Sequence, residues 1–102
     1  MVNTKILLAA ALLFLPVAFA AAKDLGPDQA LKLRDAGTIK SFEVLNAVAL
    51  AKHPGATVGD TELEEKYGKF IYQVEMRDAE GRAWEVELDA VTATILSDHQ
   101  DT

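Results

Sequence analysis

The sequence predicts an α+β domain, with two N-terminal helices packed on one face of an antiparallel sheet of three to four strands. Three observations carry this. An apolar helical segment stops at His53-Pro54-Gly55. Segments alternating apolar and polar residues follow it, from about Thr57 to Ser97. Short turns bearing glycine, at Gly68 and Gly81, separate them.

The first helix is expected from Pro27 to about Ala36. Pro27 is pre-set for the first helical position, Asp28 complements the helix dipole, and Gly37 is a natural stop. Ala30, Leu31 and Leu33 give it a partial apolar face. Ser41 is placed to cap a second helix, Phe42 to about Lys52. Val44, Leu45, Ala47, Val48, Ala49, Leu50 and Ala51 leave that helix almost no polar face. It is therefore expected against the sheet and buried on most sides. An exposed docking stripe along part of it is the other reading.

The strands register one another. Phe70, Tyr72, Val74 and Met76 share one face, and Trp84, Val86, Leu88 and Ala90 share another. For both sets to face one core, Met76 must oppose Trp84, Val74 oppose Val86, and Tyr72 oppose Leu88. That leaves Ala79-Glu80-Gly81 as a three-residue loop closed by Asp78 and Arg82, with Gly81 where a left-handed residue is wanted. A preceding strand, about Thr57 to Glu65, places Leu63 opposite Tyr72 across a four-residue turn, Lys66 to Lys69. A short last strand, Thr94 to Ser97, returns beside the third, and Asp98 to Thr102 reads as a frayed acidic tail.

The N-terminus reads as a signal peptide, residues 1–20, ahead of a single domain over residues 21–102 with its core at about 38–97. Lys5 supplies the positive charge, Ile6 to Phe14 the apolar stretch, and Ala18-Phe19-Ala20 the small-residue cleavage pattern, with Ala20-Ala21-Ala22 as a second choice. The apolar run is short for a membrane span and Pro16 interrupts it. A periplasmic or secreted domain is expected, with no stable membrane anchor after cleavage. The chain has no cysteine, which excludes a lipoprotein anchor and disulfide staples. Its net charge of −6 argues against nucleic acid and anionic membranes, both of which call for basic patches.

The same register assigns the outer face of the sheet. It carries Asp60, Glu62 and Glu64 from the first strand, Gln73 and Glu75 from the second, and Glu85, Glu87 and Asp89 from the third. Arg77 is the main counter-charge there, Ile71 the one bulky apolar residue, and Glu75 stands opposite Glu85, a mildly destabilising pair. Polar residues facing water are the default for half-buried strands. The alternative is a docking surface for a basic partner, or for divalent cations such as Ca²⁺.

Catalysis finds little support. His53 is expected at an exposed helix end, where it meets the C-terminal dipole. Ser97-Asp98-His99 holds the residue types of a triad, but sequence neighbours cannot converge on one reacting atom. No phosphate loop, H-E-x-x-H or nucleophile elbow is present. No cofactor and no enzyme activity are expected.

The helix ending His53-Pro54-Gly55-Ala56, the strand Val58 to Glu64, the Ile71-Tyr72-Gln73-Val74-Glu75-Met76 pattern and Glu85-Val86-Glu87-Leu88-Asp89-Ala90 together resemble the PepSY domain. The family pattern commonly continues Asp-Ala-x-Thr-Gly; here Ala93 stands in place of the turn glycine, and alanine tolerates a left-handed backbone poorly. The resemblance implies an extracytoplasmic, non-catalytic module that modulates a peptidase or serves an envelope sensor. It defines no catalytic residues. Without a peptidase domain in the same chain, the expected partner is a peptidase or a sensor ectodomain met in trans. An envelope cation or small-ligand sensor using the acidic face is the alternative.

Overall fold

The structure is a computed structural model and describes residues 22–101. The segment read as a signal peptide lies outside the described residues. The elements run β1 (Lys23–Leu25), α1 (Pro27–Asp35), α2 (Phe42–Lys52), β2 (Thr57–Lys66), β3 (Lys69–Arg77), β4 (Ala83–Asp89) and β5 (Ile95–Gln100). The strands form one antiparallel sheet in sequence order, β1-β2-β3-β4-β5. The sheet therefore has five strands, not three to four. The additional one, β1, is three residues long, too short to show a period of two.

Both helices begin and end where local chemistry dictates. α1 starts at Pro27 and closes with a Schellman motif: the Gly37 N–H donates to the Arg34 carbonyl and the Thr38 N–H to the Leu33 carbonyl. Gly37 takes φ +77°, which glycine adopts without a Cβ penalty. At α2 the Ser41 hydroxyl accepts from the Val44 N–H at 3.2 Å, the expected cap. The stretch between the helices is anchored by the Lys40 N–H, which donates to the Ala90 carbonyl at 2.9 Å.

The core lies between α2 and the sheet. Leu45 and Ala49 are fully buried, against a floor of Leu63, Tyr72, Val74, Met76, Val86, Leu88 and Ala90. Burial of α2 is one-sided, which corrects the expectation of burial on most sides. Val44 is 44% exposed, and Ala47 and Ala51 face solvent. A helix on one face of a single sheet has only one apolar surface to meet, whatever its sequence permits.

The β3–β4 register is as expected: Met76 opposes Trp84, Val74 opposes Val86, and Tyr72 opposes Leu88. Gly81 has φ +83°, and its N–H returns to the Asp78 carbonyl. Leu63 opposes Tyr72, but Lys66 and Lys69 also pair, so the β2–β3 turn is two residues rather than four. Tyr67 and Gly68 fill it at φ +53° and +77°, the left-handed pair that a tight hairpin with right-twisted strands selects. Between Val58 and Thr61 the register shifts, so Gly59 and Asp60 stand against the single residue Glu75 as a β-bulge.

Two further expectations are corrected. Ile71 is on the outer face between Glu64 and Asp89, as the register requires, yet only 8% exposed rather than open to water. The frayed tail is mostly strand: β5 continues through Asp98 and His99 to Gln100, pairing Trp84 to Leu88 of β4. The turn before it places Ala93 at φ +66°, with the Ala93 N–H on the Asp89 carbonyl at 2.7 Å. The left-handed turn is thus kept without its glycine, at a cost of about 1–2 kcal/mol of backbone strain.

Candidate binding surfaces

The outer face gathers the expected acids. Glu75 and Glu85 are direct cross-strand neighbours, as are Asp24 and Glu64. Burial first, then the nearby Asp24 and Glu87 carboxylates, raise the Glu64 carboxyl above its usual range. Several of the acids have a local role. Glu87 accepts from Gln73 Nε2 at 2.8 Å. Asp89 Oδ1 accepts the Val91 and Thr92 N–H groups at 2.8 and 3.3 Å, which closes the β4–β5 turn. His99 Nε2 lies 3.4 Å from Glu85 Oε1. Arg77, expected as the counter-charge, instead donates to the Gly81 carbonyl at 2.8 Å. Among the described residues no three His, Asp or Glu side chains are grouped to hold a metal ion.

A second surface lies at the sheet edge. β1 runs beside Leu63, Glu64 and Glu65 only, so among the described residues the outer edge of β2 from Thr57 to Glu62 has no strand beside it. Next to this edge, α1, α2 and the sheet enclose a groove of about 480 Å³. Leu25, Ala30, Leu31, Phe42, Leu63 and Tyr72 give it apolar walls, and Asp24, Thr61 and Glu62 also border it. Phe42 stacks on Tyr72 with ring centroids 5.9 Å apart, and the Tyr72 hydroxyl donates to Asn46 Oδ1 at 2.9 Å. Those contacts fix the aromatic wall. The groove depends on β1 ending at Leu25 just before α1 starts at Pro27; the helix start is the one Pro27 announces, but no local pattern announces β1.

A third cluster joins the end of α2 to the far side of the sheet. His53 is not an exposed cap: its side chain is 14% exposed and its ring packs 4.2 Å from that of Trp84. His53 Nε2 lies 2.8 and 3.1 Å from the two Asp98 carboxylate oxygens. A carboxylate only accepts, so Nε2 carries the proton and donates. Trp84 Nε1 in turn donates to Asp78 at 2.9 Å. Asp78 also accepts from the Glu80 and Arg82 N–H groups and from Arg82 Nε. The Trp84 hydrogen bond above all, aided by Arg82, holds the Asp78 carboxyl down at about 2.

This cluster does not make a triad of Ser97-Asp98-His99. In β5, Ser97 pairs Glu87 and His99 pairs Glu85 on the outer face, while Asp98 pairs Val86 on the core side. Strand alternation sends Asp98 away from both neighbours. Alternation counted back from Val86 would have placed Asp98 inside, had β5 been extended past Ser97.

Comparison with known proteins gives one positive result. The family model for PepSY, described as the peptidase propeptide and YPEB domain, matches residues 40–99. That span runs from just before α2 to near the end of β5 and leaves out β1 and α1. No curated protein and no solved structure matches the chain. PepSY domains are generally non-catalytic propeptide-like or regulatory modules, and no helix among the described residues is long and apolar enough to cross a membrane. With α2, the hairpins and β5 as far as His99 inside the matched span, the chain belongs to the PepSY domain family.

Proposed function

We propose that this protein is a periplasmic or secreted binding module that modulates a peptidase or an envelope sensor protein in trans. The family match over residues 40–99 carries this reading, because it covers the helix and the strands that build the core. The open edge of β2 and its groove support it, since an unpaired edge beside a side-chain pocket is a common way for a small sheet to grip an extended segment. His53 and Asp98 support the same reading from the other side: their hydrogen bond ties the end of α2 to β5, which is a structural task.

The test is a crosslinking pull-down from the native envelope with the processed protein, scored by mass spectrometry. Recovery of a peptidase or a sensor ectodomain, with a change in that protein's activity on adding the purified domain, is the expected result. A folded domain that captures no envelope protein overturns the proposal. Mass measurement of the secreted form checks the location, with processing after Ala20 or Ala22 expected.

A further inference from the structure

We propose that the open edge of β2 and the adjoining groove take an extended peptide segment in which apolar and basic side chains alternate. The inference rests on the binding-module reading and names the surface and the chemistry of its partner. The alternation follows from the sheet itself. Thr61 and Leu63 turn toward the helices, while Glu62 and Glu64 turn to the outer face. A strand laid beside β2 sends its own side chains alternately to the same two sides. Those level with Thr61 enter the groove between Leu31, Phe42 and Tyr72. Those level with Glu62 emerge on the outer face beside the carboxylates.

The groove suits such a partner in size and in charge. Its volume of about 480 Å³ lies within the range of small ligand-binding clefts, about 300–1,000 Å³. Asp24 and Glu62 stand at its margin with their carboxylates on the outer face, and its lining holds no lysine or arginine. On α1, Arg34 is engaged: it pairs with Asp35 at 3.0 Å and lies over the Phe42 ring at 5.6 Å. A second copy of this chain is a poor occupant. Edge-to-edge pairing would bring Asp60 and Glu62 against like charges, and the bulge at Gly59-Asp60 bends the strand away from long pairings. The same acids that reject a copy attract lysine or arginine.

The experiment measures fluorescence anisotropy of labelled hexapeptides with the processed protein. The probes are Lys-Leu-Lys-Phe-Lys-Leu, the block version Lys-Lys-Lys-Leu-Leu-Phe, and Glu-Leu-Glu-Phe-Glu-Leu. The alternating basic peptide is expected to bind at least about tenfold more tightly than either control, and Glu62→Lys to weaken it by about tenfold. Glu80→Lys, on the β3–β4 hairpin loop, controls for loss of net negative charge and is expected to change binding by less than about twofold. Thr61→Pro removes an edge N–H and is expected to weaken binding as Glu62→Lys does, with circular dichroism confirming the fold. Equal binding of the two basic peptides, equal effects of Glu62→Lys and Glu80→Lys, or no binding at all would overturn the proposal. If that happens while the pull-down recovers a partner, the binding-module reading stands and only this surface falls.

Discussion

Asp98 holds His53 by a 2.8 Å hydrogen bond across 45 positions of sequence, linking the end of α2 to the last strand of the sheet. The pair is largely shielded, with side chains 20% and 14% exposed, and the Trp84 ring packs against the imidazole at a tilt of 32°. Through Trp84 and Asp78 the same network reaches the β3–β4 hairpin.

Removing one partner leaves the other shielded and unsatisfied, which costs more than the bond is worth. Asp98→Ala is therefore expected to destabilise the domain by about 1–3 kcal/mol. Trp84 is the single tryptophan, so urea unfolding followed by its fluorescence reports on this junction directly. Hydrogen exchange in β5 is expected to rise in the variant. An unchanged midpoint would show that the His53–Asp98 contact is not formed in solution.

Asp78 gives the domain an acid sensitivity with a defined window. Its carboxyl titrates at about 2 in the folded protein against an ordinary value near 3.8. A lowered folded value means that the stability it contributes is fully present above the unfolded value and is lost as pH falls from about 4 toward 2. Trp84 emission is expected to shift over that range. In Asp78→Asn the pH dependence of the unfolding midpoint should flatten there.

The β4–β5 turn retains a left-handed backbone at Ala93, φ +66°. Glycine adopts that conformation without the Cβ clash but loses more freedom on folding, so the two effects partly cancel. Ala93→Gly is expected to stabilise the domain by about 1 kcal/mol. A guanidinium chloride midpoint that rises with an unchanged slope checks this, and a falling midpoint would contradict it.

Glu64 faces Asp24 across β1 and β2, and its carboxyl is raised by burial and by that neighbour. For an acid the raised value means a cost at neutral pH that disappears as the group protonates on acidification. Glu64→Gln is expected to raise stability at pH 7 by about 0.2–1 kcal/mol, the scale of a like-charge cross-strand pair. The gain should shrink in high salt and at low pH.

The β3–β4 hairpin was legible in the sequence because two alternating strands had to present their apolar sets to one core, and Gly81 supplied the turn at that register. The Ser41 cap was legible for a similar reason, since one hydroxyl sits just before an apolar run. β1 was not: Lys23-Asp24-Leu25 acquires strand geometry only by pairing with Leu63 to Glu65. β5 was cut short because Ser97 to Gln100 are all polar and show no alternation, and Asp98 is drawn inside by a histidine far away in sequence. Glu62, Glu64, Glu75, Glu85 and Glu87 pair in the register expected of them, while Asp60 falls in the bulge without a partner and Asp89 proved to be a turn former. The groove was missed because its walls come from β1, α1, α2, β2 and β3 together.

Amide hydrogen exchange over residues 57–62, with and without the alternating basic hexapeptide, tests the central claim most directly. An added strand hydrogen-bonds the open edge of β2, so exchange in that segment is expected to slow while β5, at the other edge, is unchanged. Protection confined to residues 95–100, or protection nowhere while the peptide is bound, would contradict the account.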